Sequence, residues 1–246
     1  MKTLAAGALA LSLVVTAGCS SMTNLGKGAA IGGGAGAATG AGIGALIGGG
    51  KGAGIGAAIG AAVGSGAGML IGKKMDKQKK ELEEQLQGAA TVDTVTDTNG
   101  LTAIRVTFEG GILFPTNGTT LSQSARKDLT KFAASLLANP DTDVQIYGFT
   151  DNTGSLEVNT RVANGRADAV ETYLLESGIP AKRMVAQGLP MQDYVASNET
   201  AAGRAQNRRV EIYILANQSM VEKAEAGTLK SVSYTHLRAH ETVLDL

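Results

Sequence analysis

Residues 144–176 read VQIYGFTDNTGSLEVNTRVANGRADAVETYLLE, and this stretch decides the fold. Its first part, Val144 to Phe149, is a short apolar run that predicts a buried strand. A polar turn follows and ends in Ser155, a residue type that favours the N-cap of a helix. A helical pattern then extends to Glu176, and Gly178 marks its end. The stretch therefore predicts a strand, a tight turn and a long helix in that order.

Further strands and one more helix are predicted on both sides of this unit. The predicted strands are Leu101–Phe108, Met184–Gln187 and Val210–Leu215. Ser122 is the predicted cap of a helix that runs to Ala138 and has one apolar face. The residues expected on the apolar faces are Ala125, Leu129, Phe132, Ala133 and Leu136 in this helix and Val158, Val162, Val170, Tyr173 and Leu174 in the longer one. Helices between strands predict the α/β class, as an α+β sandwich with a mixed sheet of about four strands and helices on one face.

Residues 101–216 contain a series of short motifs: GFTDNTGS at 148–155, Asn159, Arg166 with Ala167, NET at 198–200, Gly203 with Arg204, and NRRVEI at 207–212. In order and spacing, these motifs resemble those of the OmpA-like peptidoglycan-binding domain. The sequence departs from the family pattern at Phe149, Val162, Ala163, Pro190 and Tyr194. The loop 188–197 is therefore expected to differ in shape. The resemblance implies an OmpA-like domain over residues 101–217.

The resemblance also implies a ligand, the free end of diaminopimelate in the stem peptide of peptidoglycan. Carried over to this sequence, the family's contacts fall on Asn117, Asp151, Thr153, Asn159, Arg166 and Arg208. A free α-amino acid end is a zwitterion, so it needs one anion and one cation held apart. Asp151 offers an acceptor for the ammonium, and Arg166 offers a bidentate donor for the carboxylate. Asn159 lies two helical turns before Arg166, so the two side chains share one helix face.

Each of these residues also has a structural interpretation that needs no ligand. Asp151 and Asn152, followed by Thr-Gly, suit a simple Asx turn. Arg166 suits a side chain whose apolar stem covers the sheet edge. Arg208 suits pairing with a nearby acid or helix end, and Asn117 suits a turn residue in FPTNG. Local chemistry alone leaves both interpretations open, and the family resemblance favours the binding role.

A glycine-rich segment at residues 28–72 has a strict period of four. Glycine stands at every fourth position from Gly28 to Gly72, and the segment consists of two similar copies separated by Gly48–Gly50. Each copy is uncharged and, as a helix of about 21 residues, would span roughly 31 Å, the thickness of a bilayer core. Small residues at this spacing let helices approach closely. The segment resembles the glycine zippers of bacterial envelope proteins and predicts a helical hairpin; the alternative is a flexible linker.

The residues between the hairpin and the C-terminal domain, 73–100, are predicted to be a charged helical spacer and a linker. Lys73 to Gln87 reads KKMDKQKKELEEQLQ, which favours a solvated helix, with a short coiled coil as the alternative. The linker is expected at residues 88–100, which read GAATVDTVTDTNG. Residues 218–230 are expected to be a C-terminal extension.

The N-terminus has the pattern of a lipoprotein signal peptide at residues 1–18. A lysine precedes a short apolar run, which is too short to span a bilayer. Cys19, the only cysteine, follows two small residues and resembles the lipidated cysteine of a bacterial lipobox, although Thr16 stands where leucine is more usual. Ser20 after it implies delivery to the outer membrane, with residues 19–27 as a linker. The alternative is an ordinary secreted protein with one free thiol.

The C-terminal residues 231–246 resemble the translation of a sequencing-library adapter. VSYTHLRAHET at 232–242 carries this resemblance, so we interpret the segment as an artefact that is not part of the natural protein. Both histidines, His236 and His240, lie within it. Without them the chain has no histidine for metal binding or general base catalysis.

Composition excludes several functional classes. Lysine and arginine number 22, as do aspartate and glutamate, so the chain lacks the basic excess typical of nucleic-acid binding. A single cysteine excludes a disulfide framework, and no metal site or cofactor is expected. An enzyme is disfavoured because no nucleophile with a base partner appears. Asp143 and Asp151 would be the carboxylate pair of a glycan-cleaving enzyme, but they bracket a strand and nothing indicates a sugar cleft; their separation tests this.

Two functions therefore remain. The first is a lipoprotein anchored in the outer membrane, whose C-terminal domain lies in the periplasm and binds peptidoglycan, so that membrane and wall are tethered. The second is an envelope protein that oligomerises or perturbs membranes through the 28–72 hairpin, with the wall-binding domain as an anchor only. The partners expected are peptidoglycan, a membrane reached through the lipid and the hairpin, and a second copy of the chain.

Overall fold

The computed structural model describes residues 66–97, 99–115 and 118–229. The predicted signal peptide 1–18, the lipidated Cys19, the linker 19–27, most of the 28–72 hairpin and the 231–246 tail lie outside these residues. The helices are α1 Gly66–Gln85, α2 Gly110–Leu113, α3 Gln123–Ala138, α4 Leu156–Glu176, α5 Ala201–Asn207 and α6 Gln218–Glu225, with a 3₁₀ helix at Ala181–Arg183. The strands are β1 Thr91–Thr96, β2 Thr102–Glu109, β3 Thr142–Phe149, β4 Met184–Leu189 and β5 Arg209–Ala216.

The strands form one mixed sheet in the order β1-β2-β5-β3-β4. Three of the four pairings are antiparallel, and only β3 and β4 are parallel. A parallel pair requires a crossover connection, which α4 supplies between β3 and β4. The predicted α/β class with a mixed sheet is confirmed, although the sheet has five strands where about four were expected.

The larger core lies between one sheet face and helices α1, α3, α4 and α6. Phe108 of β2 meets Phe132 of α3 edge to face, with ring centroids 6.4 Å apart. The other sheet face carries a smaller cluster around Tyr147, Phe149 and Tyr213. The helices thus cover one face of the sheet, and this layered arrangement fixes where each helix begins over the strands.

Helices α3 and α4 begin where the sequence predicted. The Ser122 hydroxyl accepts a hydrogen bond from the Ala125 N–H at 3.0 Å, and Ser155 accepts one from Val158 at 3.3 Å. These bonds satisfy N–H groups that the first helical turn leaves without a backbone partner. The caps therefore set the ends of the loops that precede both helices.

The buried face of α4 differs from the predicted one in its first half. Val158 is 44% exposed and Val162 is half-buried, whereas the polar residues Asn159 and Arg166 are buried. Ala163 makes this possible, because its small side chain lets the helix backbone approach the sheet closely. A Cβ on Gly148 of β3 would lie 2.3 Å from the Ala163 carbonyl oxygen. The valines were predicted to be in the core, but this close contact turns them toward solvent.

Residues 88–100 are not a linker, contrary to the prediction. Thr91–Thr96 forms β1, an edge strand paired antiparallel with β2, with Val92 opposite Val106. The Asp97 side chain closes the turn between them by accepting hydrogen bonds from the N–H groups of Asn99 and Leu101, both at 2.8 Å. The alternation of threonine and valine favours a strand, but the abundance of small polar residues suggested a linker.

The predicted solvated spacer is instead a packed helix. Helix α1 buries Ile71, Met75 and Leu82 against the sheet and helices α3 and α6, so the domain begins well before residue 101. Helix α6 also belongs to the core, since it buries Met220, Val221 and Ala224. The expectation of a separate C-terminal extension is therefore wrong for this helix. Within the described residues, no helix is both long enough and apolar enough to cross a membrane.

Candidate functional site

Asp151 lies just after β3, in the loop that leads to the capped start of α4. Its side chain is buried, and one carboxylate oxygen, Oδ1, accepts hydrogen bonds from the Thr153 N–H at 2.9 Å and from the Thr153 hydroxyl. The other oxygen, Oδ2, accepts a bond from Arg208 Nη1 at 2.7 Å. The carboxylate is therefore fixed in place by its own loop and by one guanidinium.

The surroundings of Asp151 favour its charged form. Burial raises the pKa of Asp151, but the hydrogen bonds from Thr153 and the contact with Arg208 outweigh this, and the net pKa lies below its ordinary value of 3.8. The carboxylate therefore stays ionised at neutral pH. An ionised carboxylate held in a cleft is an acceptor for an ammonium group.

Arg166 lies on α4, and its side chain is only 3% exposed. Its Nε donates to the Gly118 carbonyl oxygen at 3.1 Å, and its guanidinium stacks over the Phe114 ring, 5.2 Å from the centroid. Its Nη1 is buried and has no hydrogen-bond partner among the described residues. A buried donor without a partner is costly, so this group calls for an acceptor that the described residues do not supply.

The pKa of Arg166 reflects this setting. Burial lowers the pKa of the guanidinium, and Arg208 lowers it further, whereas Asp151 raises it. Arginine remains protonated even so, because its ordinary pKa is very high. The side chain is therefore a cation that has lost its water and has gained only part of the equivalent hydrogen bonding from the protein.

Asn159 and Thr153 hold the Asp151 loop in shape. The Asn159 amide Nδ2 donates to the carbonyl oxygens of Thr153 at 2.8 Å and of Ser155 at 3.0 Å. Thr153 in turn donates to Asp151 through both its N–H and its hydroxyl. In this structure Thr153 positions the Asp151 carboxylate directly, and Asn159 does so indirectly by holding the loop.

Arg208 stands between α5 and β5, and Gly110 packs against its backbone. The Gly110 N–H donates to the Arg208 carbonyl oxygen at 2.6 Å. A Cβ on Gly110 would lie 2.5 Å from that oxygen and 3.4 Å from Arg166 Nη1. Only glycine fits this space, so the start of α2 brings Arg208 and Arg166 together.

These groups line one cleft with a volume of about 1030 Å³. Its lining residues are Gly110, Gly111, Phe114, Pro115, Thr119, Thr150, Asp151, Thr153, Gly154, Val158, Asn159, Arg161, Val162, Gly165, Arg166, Arg204 and Arg208. Five of the predicted site residues are among them, namely Asp151, Thr153, Asn159, Arg166 and Arg208. Asn117 and the predicted lipidation site Cys19 lie outside the described residues.

Sequence analysis missed several lining residues. Arg161 lies on α4 between Asn159 and Arg166, but helical spacing does not place it on the face that those two residues share, so no signal in the sequence indicated it. Arg204 belonged to a quoted motif but was given no role, while Gly110 and Phe114 follow β2 without any signal that links them to the cleft. Their contribution depends on how three separate segments of chain meet.

Asp143 does not pair with Asp151. It lies near the start of β3, where the Asn217 amide contacts it, whereas Asp151 lies beyond the other end of the strand. Six extended residues span roughly 20 Å, and paired carboxylates of glycoside hydrolases lie about 5 to 10 Å apart. These two carboxylates therefore cannot act together on one glycosidic bond.

Two family models match the chain. Residues 113–208, which include most of the residues that line the cleft, match the OmpA family. This part of the described domain is therefore similar to the OmpA family. Residues 1–76 match the YMGG-like Gly-zipper family, which covers the predicted zipper segment and the first half of α1.

Several curated relatives resemble part of the chain. The Escherichia coli K12 protein "Probable lipoprotein YiaD" is 39% identical over 142 residues, which are 58% of this chain and 63% of that protein. "Outer-membrane lipoprotein YfiB" of Pseudomonas aeruginosa is 40% identical over 103 residues, 42% of this chain and 61% of that one. "Peptidoglycan-binding protein ArfA" of Mycobacterium bovis is 39% identical over 112 residues, 46% of this chain and 34% of that one. The chain thus spans less than two thirds of each relative's length.

A solved structure shares the fold. The MotB-like protein of Desulfovibrio vulgaris superposes with a TM-score of 0.53 at 24% identity. The match covers 61% of this chain and 96% of that one. The likeness shows that the sheet and helices described above have the same arrangement in both proteins.

Proposed function

We propose that this protein binds peptidoglycan non-covalently by holding the free end of diaminopimelate in its stem peptide. Asp151 accepts hydrogen bonds from the ligand's ammonium, and Arg166 donates to its carboxylate. The single observation that carries this proposal is the buried Arg166 Nη1, which lacks a partner among the described residues in a cleft that also contains an ionised Asp151. A zwitterion supplies the missing acceptor and the matching cation together.

Arg208 has a double role in this proposal. Without ligand it neutralises Asp151 through the 2.7 Å contact. Because its side chain is 41% exposed, it can move at little cost when an ammonium takes its place on the carboxylate. The released guanidinium then lies beside Arg166 and adds a second donor for the ligand's carboxylate.

The names of the relatives support association with the wall and the envelope. One similar protein is named as peptidoglycan-binding, and two are named as lipoproteins, one of them of the outer membrane. We propose that acyl chains on Cys19 hold the protein in the outer membrane and that the OmpA-like domain lies in the periplasm. Several acyl chains on one residue anchor firmly, because each buried methylene adds about 0.8 kcal/mol. The protein then tethers membrane to wall by binding alone, without catalysis.

Co-sedimentation with isolated cell walls tests the binding site. Asp151→Asn and Arg166→Gln each remove one charge, and each is expected to weaken wall binding by about tenfold or more, since charge-assisted bonds in a cleft contribute about 1.5 to 3 kcal/mol. Asp128→Asn and Arg126→Gln remove charges on α3, outside the cleft, and are expected to sediment as the parent protein does. Unchanged sedimentation of folded Asp151 and Arg166 variants would refute the site.

The glycine zipper supports a second candidate function. Residues 1–76 match a Gly-zipper family, and glycine at every fourth position suits close helix pairing. In this alternative the chain self-associates or perturbs a membrane through the part of the 28–72 segment that precedes α1, and the wall-binding domain only anchors it. A chain without residues 28–64 that still tethers membrane to wall would favour the first function.

A further inference from the structure

The cleft has more positively charged side chains than the single carboxylate of a diaminopimelate end can pair with. Among the described residues that line it, four are arginines (Arg161, Arg166, Arg204 and Arg208) and one, Asp151, is an acid. The excess is three positive charges, four cations against one anion. A zwitterionic end has no net charge, so binding it leaves this excess in place.

Two of the four arginines take no part in holding the zwitterion. Arg166 and Arg208 lie next to Asp151, as the proposed binding mode requires. Arg161 is exposed on α4 and forms no hydrogen bond or ion pair with another described residue. Its guanidinium therefore keeps all five N–H groups available to a ligand in the cleft.

The side chain of Arg204 is oriented by hydrogen bonds to backbone carbonyl groups of the preceding loop. It lies on α5, and its Nη1 donates to the carbonyl oxygens of Asn198 at 2.7 Å and Glu199 at 3.1 Å. These two bonds orient the planar guanidinium but do not neutralise it, because both acceptors are uncharged. The remaining N–H groups form no bond with a described residue.

We infer that Arg161 and Arg204 select for a stem peptide that carries carboxylates beyond those of the diaminopimelate end. This inference rests on the proposed function and extends it from one amino acid to its neighbours. The α-carboxylate of the adjacent glutamate and the C-terminal carboxylate of the stem peptide are the groups of the right charge. Amidation removes that charge while keeping the shape, so the cleft distinguishes free-acid wall peptides from amidated ones.

Calorimetry with two synthetic peptides tests the inference on the full chain. Both are Ala–γ-Glu–diaminopimelate peptides with the same free distal end; one has the glutamate α-carboxylate, and the other has the carboxamide. The parent protein is expected to bind the acid about fivefold more tightly, as partly solvated ion pairs allow. Because exposed charges are screened, the preference is expected to shrink as salt is raised.

Substitutions at Arg161 and Arg204 test whether these two residues cause the preference for the free-acid peptide. In Arg161→Gln, whose side chain is exposed, the ratio of the two dissociation constants is expected to fall below about twofold; Arg204→Gln should act in the same direction. Arg126→Gln, on α3 and outside the cleft, should keep the parent ratio. Equal binding of both peptides by the parent, or an unchanged ratio in Arg161→Gln, would overturn the inference while leaving the proposed function intact. Failure of the parent to bind either peptide would overturn both.

Discussion

At the scale of single residues, the cleft contains a buried cation, Arg166, whose hydrogen bonding is incomplete among the described residues. Arg166 has lost most of its water, and its Nη1 gains no hydrogen bond from the described residues in return. Such a group costs stability in the free protein, and binding a carboxylate recovers part of that cost. Phe114 and the Gly118 carbonyl hold the guanidinium still, so little side-chain entropy remains to be lost on binding.

Gly110→Ala tests how closely the site is packed. The added Cβ meets the Arg208 carbonyl oxygen at 2.5 Å, so the backbone of Arg208 must move, and with it the groups around Arg166. We expect wall binding to fall by about tenfold and the free energy of unfolding to fall by about 1 to 3 kcal/mol.

Gly111→Ala is the matched control for the steric effect of the added methyl group. It lies next in the same helix, and a Cβ there meets nothing within 4 Å. Wall co-sedimentation and urea unfolding of both variants measure the effect. Parent-like behaviour of Gly110→Ala would show that the close contact does not shape the cleft.

The pKa of Asp151 provides a second test at this scale. Because the pKa in the folded protein is below 3.8, the ionised form stabilises the fold above that pH, and the stabilisation is lost as pH falls through the lowered pKa. Arg208→Gln removes one of the groups that lower it, so the pKa of Asp151 is expected to rise in that variant. NMR titration of the carboxyl carbon measures both values. A pKa above 3.8 in the parent protein would contradict the arrangement.

The sequence was enough to select Asp151 and Arg166 as candidate site residues. It was not enough to predict the contacts that hold their side chains in place. Their residue types and spacing fit a zwitterion, and the family resemblance selected them from other polar residues. The bond between Asp151 and Arg208 joins positions 57 residues apart, and no local pattern predicts such a contact. For the same reason Thr153 and Asn159, expected to contact ligand, were not recognised as supports of the loop.

At the scale of elements, helix α1 shows why a charged sequence can still be part of a core. Ile71, Met75 and Leu82 are fully buried and follow the spacing of one helix face, and Leu86 just beyond the helix is also fully buried. Lys74 and Gln78 lie on the same side and are also buried, which hid the apolar face in the sequence. Gln78 donates to Ser135 of α3 at 3.4 Å, so part of this polar burial is satisfied between the two helices.

Leu82→Ala separates a packed helix from a solvated spacer. Removing a fully buried leucine side chain is expected to lower the free energy of unfolding by about 2 to 5 kcal/mol. Glu84→Ala, on the exposed side of the same helix, is expected to change it by less than about 0.5 kcal/mol. Equal stability of the two variants in chemical denaturation would mean that α1 does not belong to the domain.

The other helices and strands could be predicted from the sequence where the residues that define them are close together in the chain. Caps, apolar runs and stops gave α3, α4 and four of the strands nearly to the residue. In β1 the alternation of threonine and valine favours a strand, but the small polar residues around it favoured a linker, so its identity depended on pairing with β2. The rotation of α4 depended on Gly148, a residue from another element.

At the scale of the whole molecule, the zipper is predicted to act through its glycine period. Leucine at Gly36, Gly40, Gly60 and Gly64 would keep helices apart, so self-association in detergent is expected to weaken strongly. Leucine at Ala38 and Ala58, two positions out of phase, is the control and should have less effect. Sedimentation equilibrium measures the oligomeric state. The same state in both variants would favour the flexible linker.

The proposed tether requires an acylated Cys19, and it requires the cleft of the C-terminal domain to bind the wall. The central claim is that Asp151 and Arg166 hold the two opposite charges of one amino acid end. A crystal structure of the protein with bound diaminopimelate tests this most directly. The account predicts the ammonium within hydrogen-bond distance of the Asp151 carboxylate and the ligand's carboxylate on Arg166 Nη1. An empty cleft at saturating ligand, or a ligand bound elsewhere, would contradict it.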